Sequence, residues 1–561
     1  MFLPTSREEM EKLHWRYLDV ILVSGDTYID SPFIGVSVIG QILLKAGYKV
    51  GIIAQPDISC LEDISRLGEP QLFWGVTAGS VDSMIANYTA TGKKRKKDDY
   101  TPGGINNRRP DRATIVYTNL IKGRFKNTKP IVLGGIEASL RRFAHYDYWD
   151  NQIRRSILFD SKADFLVYGM AEKSILQLAD RLARGESSKN LRGICYISRD
   201  AGEGNLILPS FSEVKEDKTK FISMFHMFYQ NQDPFQGKGL AQQQDGRYLI
   251  QNPPLYPLSE KELDRIYELD YEREVHPHYQ KRGSVRAMDT IKFSVTSHRG
   301  CFGECNFCAI TVHQGKYVQS RSEQSIIREV RQLTKDKSFK GYILDVGGPT
   351  ANMYGMECTN KSQESHCQKK RCLFPSVCNN LDLNHQRQIK LLKNIRKIKN
   401  IKKSFIASGI RYDLIMSDKK NGKNYLKELI LHHISGQLKI APEHIKKDVL
   451  SLMGKQDNHS LREFKKLFEQ INLQVAKKQY LTYYFMAAHP GCREKDMISL
   501  KQFIKKELSI KPEQIQIFIP APSTYSSVMY YTGRNPFNGK SIFVEKETKH
   551  KEKQKKLITN S

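Results

Sequence analysis

The chain has 561 residues and a formal net charge of +29, and 39% of its residues are hydrophobic while 27% are charged. This length predicts two or three domains. No apolar run is long enough to span a membrane, and the N-terminal segment lacks the apolar core of a signal peptide, so we expect a cytoplasmic protein. Cysteines stay reduced in the cytoplasm, which favours metal or redox chemistry over disulfides.

Strand-like and helix-like segments alternate over the first 200 residues. Short apolar strands are predicted at 19–25, 48–54, 71–77, 130–137, 163–169 and 192–198, with helices such as 35–47 and 172–184 between several of them. This alternation predicts an α/β domain over 1–200, built on a parallel, Rossmann-like sheet. No GxGxxG motif follows the first strand.

Two polar stretches interrupt this predicted sheet. Residues 91–112 contain charge runs, two prolines and a glycine pair, which predicts an exposed basic loop. That loop is either a floppy insertion or an arm that touches substrate or covers a site. Residues 134–157 are rich in Arg, His, Tyr and Trp, and they form either a polar site or a structural network of ion pairs.

A second alternation follows a weakly periodic connector at 201–285. Strands are predicted at 291–297, 341–348, 404–410, 437–443, 480–491 and 515–523, with helices near 322–335, 385–399, 424–434, 459–472 and 495–507. Six such units are fewer than the eight of a closed TIM barrel, so we predict a partial (β/α)6 TIM barrel over 286–535, open at one side. The remaining 536–561 are predicted to be a basic, solvated C-terminal tail.

Three cysteines, Cys301, Cys305 and Cys308, lie on the loop after the first strand of the second domain. The chain has ten cysteines in all, and chance would give this spacing about three times in a thousand. Loops at the C-terminal ends of barrel strands carry the functional sites of such folds. Three thiolates can hold three corners of a [4Fe-4S] cluster and leave one iron open. A zinc site completed by His298 or His313 is the alternative.

The CxxxCxxC spacing in this position resembles that of the radical S-adenosylmethionine (SAM) superfamily. The segments "VTSHRGCFGECNFCAITVHQG", "GGPTANMYG", "LKIAPEH" and "MYYTGRNP" resemble the YgiQ-like radical SAM proteins, and the similarity covers nearly the whole chain. The resemblance implies a radical SAM core, a cluster on the three cysteines, SAM on the open iron, and an electron donor such as flavodoxin or ferredoxin. Reductive cleavage of SAM would then give a 5′-deoxyadenosyl radical that takes hydrogen from an unidentified substrate.

The resemblance carries further positions over less closely. Phe307 matches the aromatic residue usual between the second and third cysteines. Gly347 and Gly348 end the second barrel strand, where the superfamily has a Gly-Gly-Glu segment that meets the SAM amino group, but Pro-Thr follows here instead of Glu. Ser408 and Arg411, beyond the third strand, are candidates for the ribose or carboxylate of SAM. Each of these residues could instead serve structure alone, and no catalytic proton-transfer residue is assigned.

A second set of four cysteines, Cys358, Cys367, Cys372 and Cys378, lies in the loop after the second barrel strand. Four thiolates suit zinc or an auxiliary iron–sulfur cluster. Their spacing lacks the paired CxxC of many metal sites. A redox or disulfide role, or no shared function, therefore stays open beside the metal site.

Cobalamin and nucleic acid are the remaining candidate partners. Cobalamin domains carry a DxHxxG loop whose His binds cobalt, and the comparable run here is "DSPFIG", so the sequence argues against cobalamin. The positive charge suits RNA or another polyanion, or it reflects only solvated, lysine-rich helix faces. The leading hypothesis is a radical SAM enzyme of unknown substrate, with RNA or another macromolecule as one option. The alternatives are a small-molecule enzyme and an iron–sulfur or zinc protein without radical turnover.

Overall fold

The structure is a computed structural model that describes residues 1–359, 367 and 371–559. The chain divides into two compact units. The N-terminal unit comprises Met1–Tyr256 and Arg265–Lys292, and the C-terminal unit comprises Pro257–Asp264 and Phe293–Ser561. In the described part of the chain, no helix combines the length and apolar composition needed to cross a bilayer.

A nine-stranded sheet forms the centre of the N-terminal unit. The strands of this unit are β1 (Val20–Ser24), β2 (Ile29–Asp30), β3 (Val50–Ala54), β4 (Phe73–Thr77), β5 (Ile131–Leu133), β6 (His145–Asp147), β7 (Gln152–Arg154), β8 (Phe165–Val167), β9 (Ile194–Ser198), β10 (Leu206–Leu208), β11 (Leu240–Gln244), β12 (Arg247–Gln251) and β13 (Glu274–Val275). The sheet order is β10-β11-β12-β9-β8-β5-β4-β1-β3.

The five strands β3, β1, β4, β5 and β8 run parallel and follow the doubly wound order 2-1-3-4-5. Every residue of β1 and β3 is buried, as the continuous apolar runs of central parallel strands require. The predicted parallel sheet is therefore confirmed.

Helices cover this sheet. The helices that begin in this part of the chain are α1 (Arg7–Lys12), α2 (Gly35–Lys45), α3 (Leu61–Ile64), α4 (Ser83–Asn87), α5 (Ala113–Arg124), α6 (Gly135–Leu140), α7 (Ile157–Ser161), α8 (Glu172–Ala183), α9 (Phe211–Glu216), α10 (Lys218–Gln230), α11 (Glu260–Tyr267), α12 (Pro277–Gln280) and α13 (Met288–Ile291). The division between the two units falls within α11.

Strands β10 to β12 lie within the predicted connector and extend the sheet at one edge. Their apolar pattern is weak because buried glutamines interrupt it. Gln242 accepts a 3.0 Å hydrogen bond from the Ala144 amide, and Gln244 accepts one of 2.9 Å from the Ser156 amide. These bonds let polar side chains be buried in a strand. The domain boundaries drawn from the sequence stay predictions.

Parallel strands also build the C-terminal unit. Its strands are β14 (Ser294–Thr296), β15 (His298–Arg299), β16 (Gln319–Ser320), β17 (Tyr342–Ile343), β18 (Asp345–Gly347), β19 (Glu357–Cys358), β20 (Leu381–Asp382), β21 (Lys403–Ser404), β22 (Gln437–Glu443), β23 (Tyr480–Ala487) and β24 (Gln514–Ile517). Its remaining helices are α14 (Ile310–Gln314), α15 (Glu323–Leu333), α16 (Gln386–Arg396), α17 (Tyr412–Ser417), α18 (Gly422–Glu428), α19 (Lys447–Met453), α20 (His459–Gln474), α21 (Glu494–Phe503), α22 (Tyr525–Thr532) and α23 (Thr548–Thr559).

The parallel pairings of this unit connect its strands in chain order. β14 pairs with β18, β17 pairs with β21, and β22, β23 and β24 pair in succession. A parallel bridge between Ile410 and Ile440 joins the segment after β21 to β22. Within the described residues, no ladder joins β24 back to β14. The prediction of a partial (β/α)6 barrel is confirmed.

The C-terminal segment is a helix rather than the solvated tail that its charge predicts. α23 buries Lys551, Gln554 and Ile558, which share one helical face. The Lys551 amine donates a 2.8 Å hydrogen bond to the Tyr530 hydroxyl, and the Gln554 side-chain carbonyl accepts one of 2.9 Å from the Ala488 amide. The prediction is wrong because these partners compensate the cost of burying polar groups.

Candidate active site

The cysteine loop lies between β15 and α14, just beyond the C-terminal end of β14. The Gly303 amide donates to the Cys301 sulfur at 3.3 Å, and the Cys308 amide donates to the Cys305 carbonyl at 3.0 Å. A Cβ atom added to Gly303 would lie 3.1 Å from the Cys301 Sγ and 3.7 Å from the Cys305 Sγ. The two sulfurs therefore flank the space that a side chain at Gly303 would fill. We call this space the cradle.

Gly300 enters this loop with a φ of +78°. A Cβ atom there would lie 1.9 Å from the Tyr317 carbonyl oxygen, so this close approach requires glycine. The tight backbone explains why glycine precedes the first cysteine.

Burial and mutual repulsion oppose ionisation of the thiols. Burial raises the pKa of Cys308 to about 12, and the neighbouring Cys305 and Cys301 act in the same direction. Burial also raises the pKa of Cys301. Because metals bind the thiolate form, the loop requires positive charge among its sulfurs before all three can ionise.

Arg411 supplies one positive charge at this place. Its Nη1 atom lies 3.8 Å from the Cys305 Sγ, and its Nε donates a 3.0 Å hydrogen bond to the Asp413 carboxylate. The side chains of Arg411 and Asp413 are only 12% and 9% exposed. Burial raises the pKa of Asp413, but the Arg411 guanidinium outweighs that effect and holds it below its usual range.

A chain of buried hydrogen bonds holds the backbone of Arg411. The Asn352 side chain accepts from the Arg411 amide at 2.8 Å and donates to the Arg411 carbonyl at 2.9 Å. The His385 Nε2 lies 3.4 Å from the Asn352 amide nitrogen, and the His385 Nδ1 lies 2.8 Å from the Asp418 carboxylate. Asp418 therefore orients His385, which in turn supports Asn352. Asn352, His385, Asp413 and Asp418 were not identified from the sequence.

The donor set fits a cubic iron–sulfur cluster better than a single zinc ion. Across the described residues, no three Cys, His, Asp or Glu side chains are grouped so as to hold one metal ion. A [4Fe-4S] cluster binds each thiolate through a separate iron, so its ligands need not converge on one point. His298, a proposed zinc ligand, donates its Nε2 hydrogen to the Thr350 carbonyl at 3.0 Å instead.

Gly347 and Gly348 lie at the end of β18, beside the cysteine loop. The Gly347 carbonyl accepts a 2.7 Å hydrogen bond from the Ser297 amide. A Cβ atom on Gly348 would lie 2.6 Å from the Nε2 of His298, whose pKa burial lowers to about 4. Close packing therefore gives a structural reason for the second glycine, and SAM binding by this pair stays a prediction.

Ser408 lies beyond β21 and is bound to Asp345 of β18. The Ser408 hydroxyl donates to the Asp345 carboxylate, which also accepts from the Ala407 amide at 2.8 Å. Asp345 was not identified from the sequence, although an acidic residue two positions before Gly347 in a strand is an available signal. The predicted contact of Ser408 with SAM stays a prediction.

Two further groups lie at the ends of the strands. The half-exposed Phe307 ring meets the His489 ring edge-on, with 6.3 Å between centroids. Glu443 adopts a φ of +67° at a break in the register of β22. Burial raises the pKa of Glu443, while Lys455 and Arg411 lower it. Irregular strand ends of this kind are common beside active sites.

Three members of the second cysteine set lie close together. The Cys378 amide donates to the Cys372 carbonyl at 2.8 Å, and Cys358 pairs with Leu381 across β19 and β20, three residues beyond Cys378. Burial raises the pKa of Cys372 to about 12. Cys367 is exposed, and its neighbours at 360–366 and 368–370 lie outside the described residues. All ten cysteines are free thiols, and a metal at this set stays a prediction.

The polar stretch 134–157 forms both a network of ion pairs and a cavity in the N-terminal unit. Arg112 pairs with Asp147 at 3.1 Å, and Arg154 pairs with Asp160 at 2.8 Å. These residues line a small pocket together with His145. Burial lowers the pKa of His145 to about 4, so its ring is neutral at physiological pH.

Comparison with known proteins then identifies the family. A sequence profile described as Radical SAM N-terminal matches residues 2–294. A UPF0313 protein of Fusobacterium nucleatum is 56% identical over 559 residues, which span 100% of this chain and 98% of that protein. The chain belongs to the UPF0313 family. Other UPF0313 members, from Thermotoga petrophila and Clostridium botulinum, are 52% and 49% identical over 100% and 99% of this chain and 98% and 87% of those proteins.

The UPF0313 membership confirms the resemblance to YgiQ-like radical SAM proteins. The protein is an enzyme of the radical SAM class. Among solved structures, the radical SAM methyltransferase TsrM of Kitasatospora setae, with tryptophan and a SAM analogue bound, has a TM-score of 0.50 at 14% identity. The match covers 90% of this chain and 74% of TsrM, and it shows a shared fold.

The sequence argument against cobalamin is wrong. OxsB, a cobalamin-dependent SAM radical enzyme with aqua-cobalamin bound, has a TM-score of 0.50 at 12% identity, over 93% of this chain and 56% of its own. The "DSPFIG" run is a single loop motif in the N-terminal domain, whereas the likeness to OxsB extends over most of the chain. The "DSPFIG" run therefore gives no ground for excluding cobalamin.

Proposed function

We propose that this UPF0313 protein holds a [4Fe-4S] cluster on Cys301, Cys305 and Cys308 and uses it to cleave SAM reductively. The observation that supports this most directly is the pair of sulfurs flanking the side-chain-free position at Gly303. When bound, such a cluster would supply the one electron that splits SAM into methionine and a 5′-deoxyadenosyl radical.

The protein side chains then place SAM and exclude water. The Arg411 guanidinium, oriented by Asp413, would offset negative charge on the thiolates and would donate hydrogen bonds to the SAM carboxylate. The carboxylate of Asp345, held by Ser408, would accept hydrogen bonds from the ribose hydroxyls of SAM. Phe307, whose ring meets His489 edge-on, would limit the access of water to the loop. An electron donor such as flavodoxin or ferredoxin, in a reducing cytoplasm, would supply the electron for this cleavage.

The first experiment is anaerobic reconstitution of the full chain with iron and sulfide, followed by SAM and dithionite. We expect 5′-deoxyadenosine by mass spectrometry from the wild type and none from Cys305→Ala. Cys60→Ala is the matched control, because Cys60 belongs to the N-terminal unit, outside the cysteine loop. Cleavage by Cys305→Ala at the wild-type rate would refute the proposal.

Two additional arms address the alternatives. A protein with a full cluster that cleaves no SAM, with or without cellular RNA or metabolite extract, would favour an iron–sulfur protein without turnover. Because OxsB binds cobalamin on this fold, the reconstitution is repeated with hydroxocobalamin, and cobalamin that stays with the protein through gel filtration would add it as a cofactor.

A further inference from the structure

The basic segment 91–112 is held in a defined conformation by backbone hydrogen bonds. It contains eight basic and three acidic residues. Antiparallel bridges join Tyr88 to Lys94 and Lys97 to Ile105. The Arg95 amide also donates to the Asn87 carbonyl at 2.7 Å. Lys93–Lys97 are therefore presented together on a fixed strip of backbone.

The inner and outer charges of this segment have different roles. Arg109 is buried and pairs with Asp26 at 2.7 Å and with Asp98 at 3.1 Å, so its positive charge is compensated inside the fold. The outer residues 92–97 are all exposed. In the part of the chain that the structure describes, Lys94, Lys96 and Lys97 form no ion pair. The surface therefore keeps an uncompensated positive strip.

Three aromatic side chains lie beside the strip. The Trp149 ring lies 5.5 Å from the Tyr88 ring and 5.1 Å from the Tyr148 ring, measured between centroids. All three side chains are half-exposed. The Tyr148 hydroxyl donates a 2.6 Å hydrogen bond to the Ala90 carbonyl, which ties the aromatic group to the start of the basic segment. Tyr88 is itself bridged to Lys94, so aromatic and basic groups share one surface.

We propose that this surface, Lys93–Lys97 with Tyr88, Tyr148 and Trp149, binds single-stranded nucleic acid. Lysine and arginine attract the phosphate backbone, and half-exposed aromatic rings stack on unpaired bases. An acidic protein would use the charge but would leave the aromatic group without a role. The inference rests on the proposed function in one respect, because it names the substrate class of that enzyme as a nucleic acid.

The test measures binding of a fluorescently labelled single-stranded oligoribonucleotide to the full chain by anisotropy, over a range of salt concentrations. Binding is measured without SAM or reductant, so its failure leaves the proposed SAM cleavage standing. The variant replaces Lys93, Lys94, Lys96 and Lys97 with Gln. The matched control replaces Lys126, Lys129, Lys162 and Lys189, which are exposed lysines of the same unit, with Gln.

We expect the first variant to bind weakly and the control to bind as the wild type does. The slope of log affinity against log salt should flatten by about 0.7 for each phosphate that the variant no longer neutralises. Trp149→Ala should weaken binding about tenfold, whereas Trp149→Phe should keep most of the affinity because it can still stack. Circular dichroism verifies that each variant is folded.

Three results would overturn the inference. They are absence of wild-type binding, equal losses of affinity in the two lysine variants, and displacement of the oligonucleotide by polyglutamate as effective as displacement by unlabelled RNA. A parallel arm uses an oligodeoxyribonucleotide of the same sequence. Tighter binding of the ribonucleotide assigns the surface to RNA, and tighter binding of the deoxyribonucleotide assigns it to DNA.

Discussion

The Nη1 atom of Arg411 lies 3.8 Å from the sulfur of Cys305, the middle cysteine of the CxxxCxxC loop. Arg411 is 12% exposed and is braced by Asp413, so this cation is held in place beside the sulfur. A fixed positive charge at this place favours an added electron on a cluster bound to the loop.

Arg411→Gln should lower the reduction potential of the reconstituted cluster. Loss of one charge at this distance corresponds to a shift on the order of 100 mV. A potentiometric titration followed by electron paramagnetic resonance measures the shift. Arg411→Lys keeps the charge and should recover most of the potential, and Arg462→Gln, at an arginine 56% exposed, should leave it unchanged. Equal potentials for Arg411→Gln and the wild type would contradict this role.

Gly303→Ala should reduce the amount of cluster that the protein can hold. The added methyl group would lie 3.1 Å from the Cys301 sulfur, inside the cradle. We expect iron and sulfide per chain to fall by at least half after identical reconstitution. Gly409→Ala is the control, because its Cβ would meet only the Lys439 carbonyl, at 3.9 Å. Full iron content in Gly303→Ala would show that this position lies outside the cluster site.

Gly348→Ala should destabilise the fold whether or not SAM binds nearby. Its Cβ would lie 2.7 Å from the backbone oxygen of His298, which cannot move without displacing β15. A clash of this kind costs about 2 kcal/mol of unfolding free energy. Urea denaturation of the apoprotein measures the loss. Gly123→Ala, whose Cβ meets only Leu61 at 4.0 Å, should be close to the wild type.

Asp418→Asn tests the hydrogen bonds that support Arg411. Burial raises the pKa of Asp418, but hydrogen bonds from His385 and Asn421 outweigh that effect and lower the pKa to about 2. Because the folded pKa lies below the ordinary value near 3.9, the carboxylate stabilises the fold above about pH 4 and stops doing so as pH falls towards 2. Asp418→Asn should cost about 2 kcal/mol at neutral pH.

The difference between wild type and Asp418→Asn should shrink in acid. Thermal unfolding from pH 7 down to the acid limit of the folded protein measures it. A constant difference across that range would mean that the ionised carboxylate contributes nothing through His385.

The cysteine loop and the positions of the strands along the chain were accessible from the sequence because both depend on local spacing. Cys301 and its partners lie within eight positions, and strands such as β1 are continuous apolar runs. The hydrogen bonds that support Arg411 were not accessible from the sequence, because His385 and Asp418 are connected to Arg411 only by contacts that form in the folded protein. The packing of α23 was also not accessible, because a charged residue such as Lys551 predicts an exposed face, whereas the fold buries it against the Tyr530 hydroxyl.

The position of Gln554 has a consequence for the cysteine loop. Its side chain satisfies the amide of Ala488, whose neighbour His489 meets Phe307 of the cysteine loop. The amide of Ala488 therefore depends on a side chain 66 residues further along the chain. Unfolding of α23 alone would leave this buried amide without its partner, next to a residue that contacts the cysteine loop.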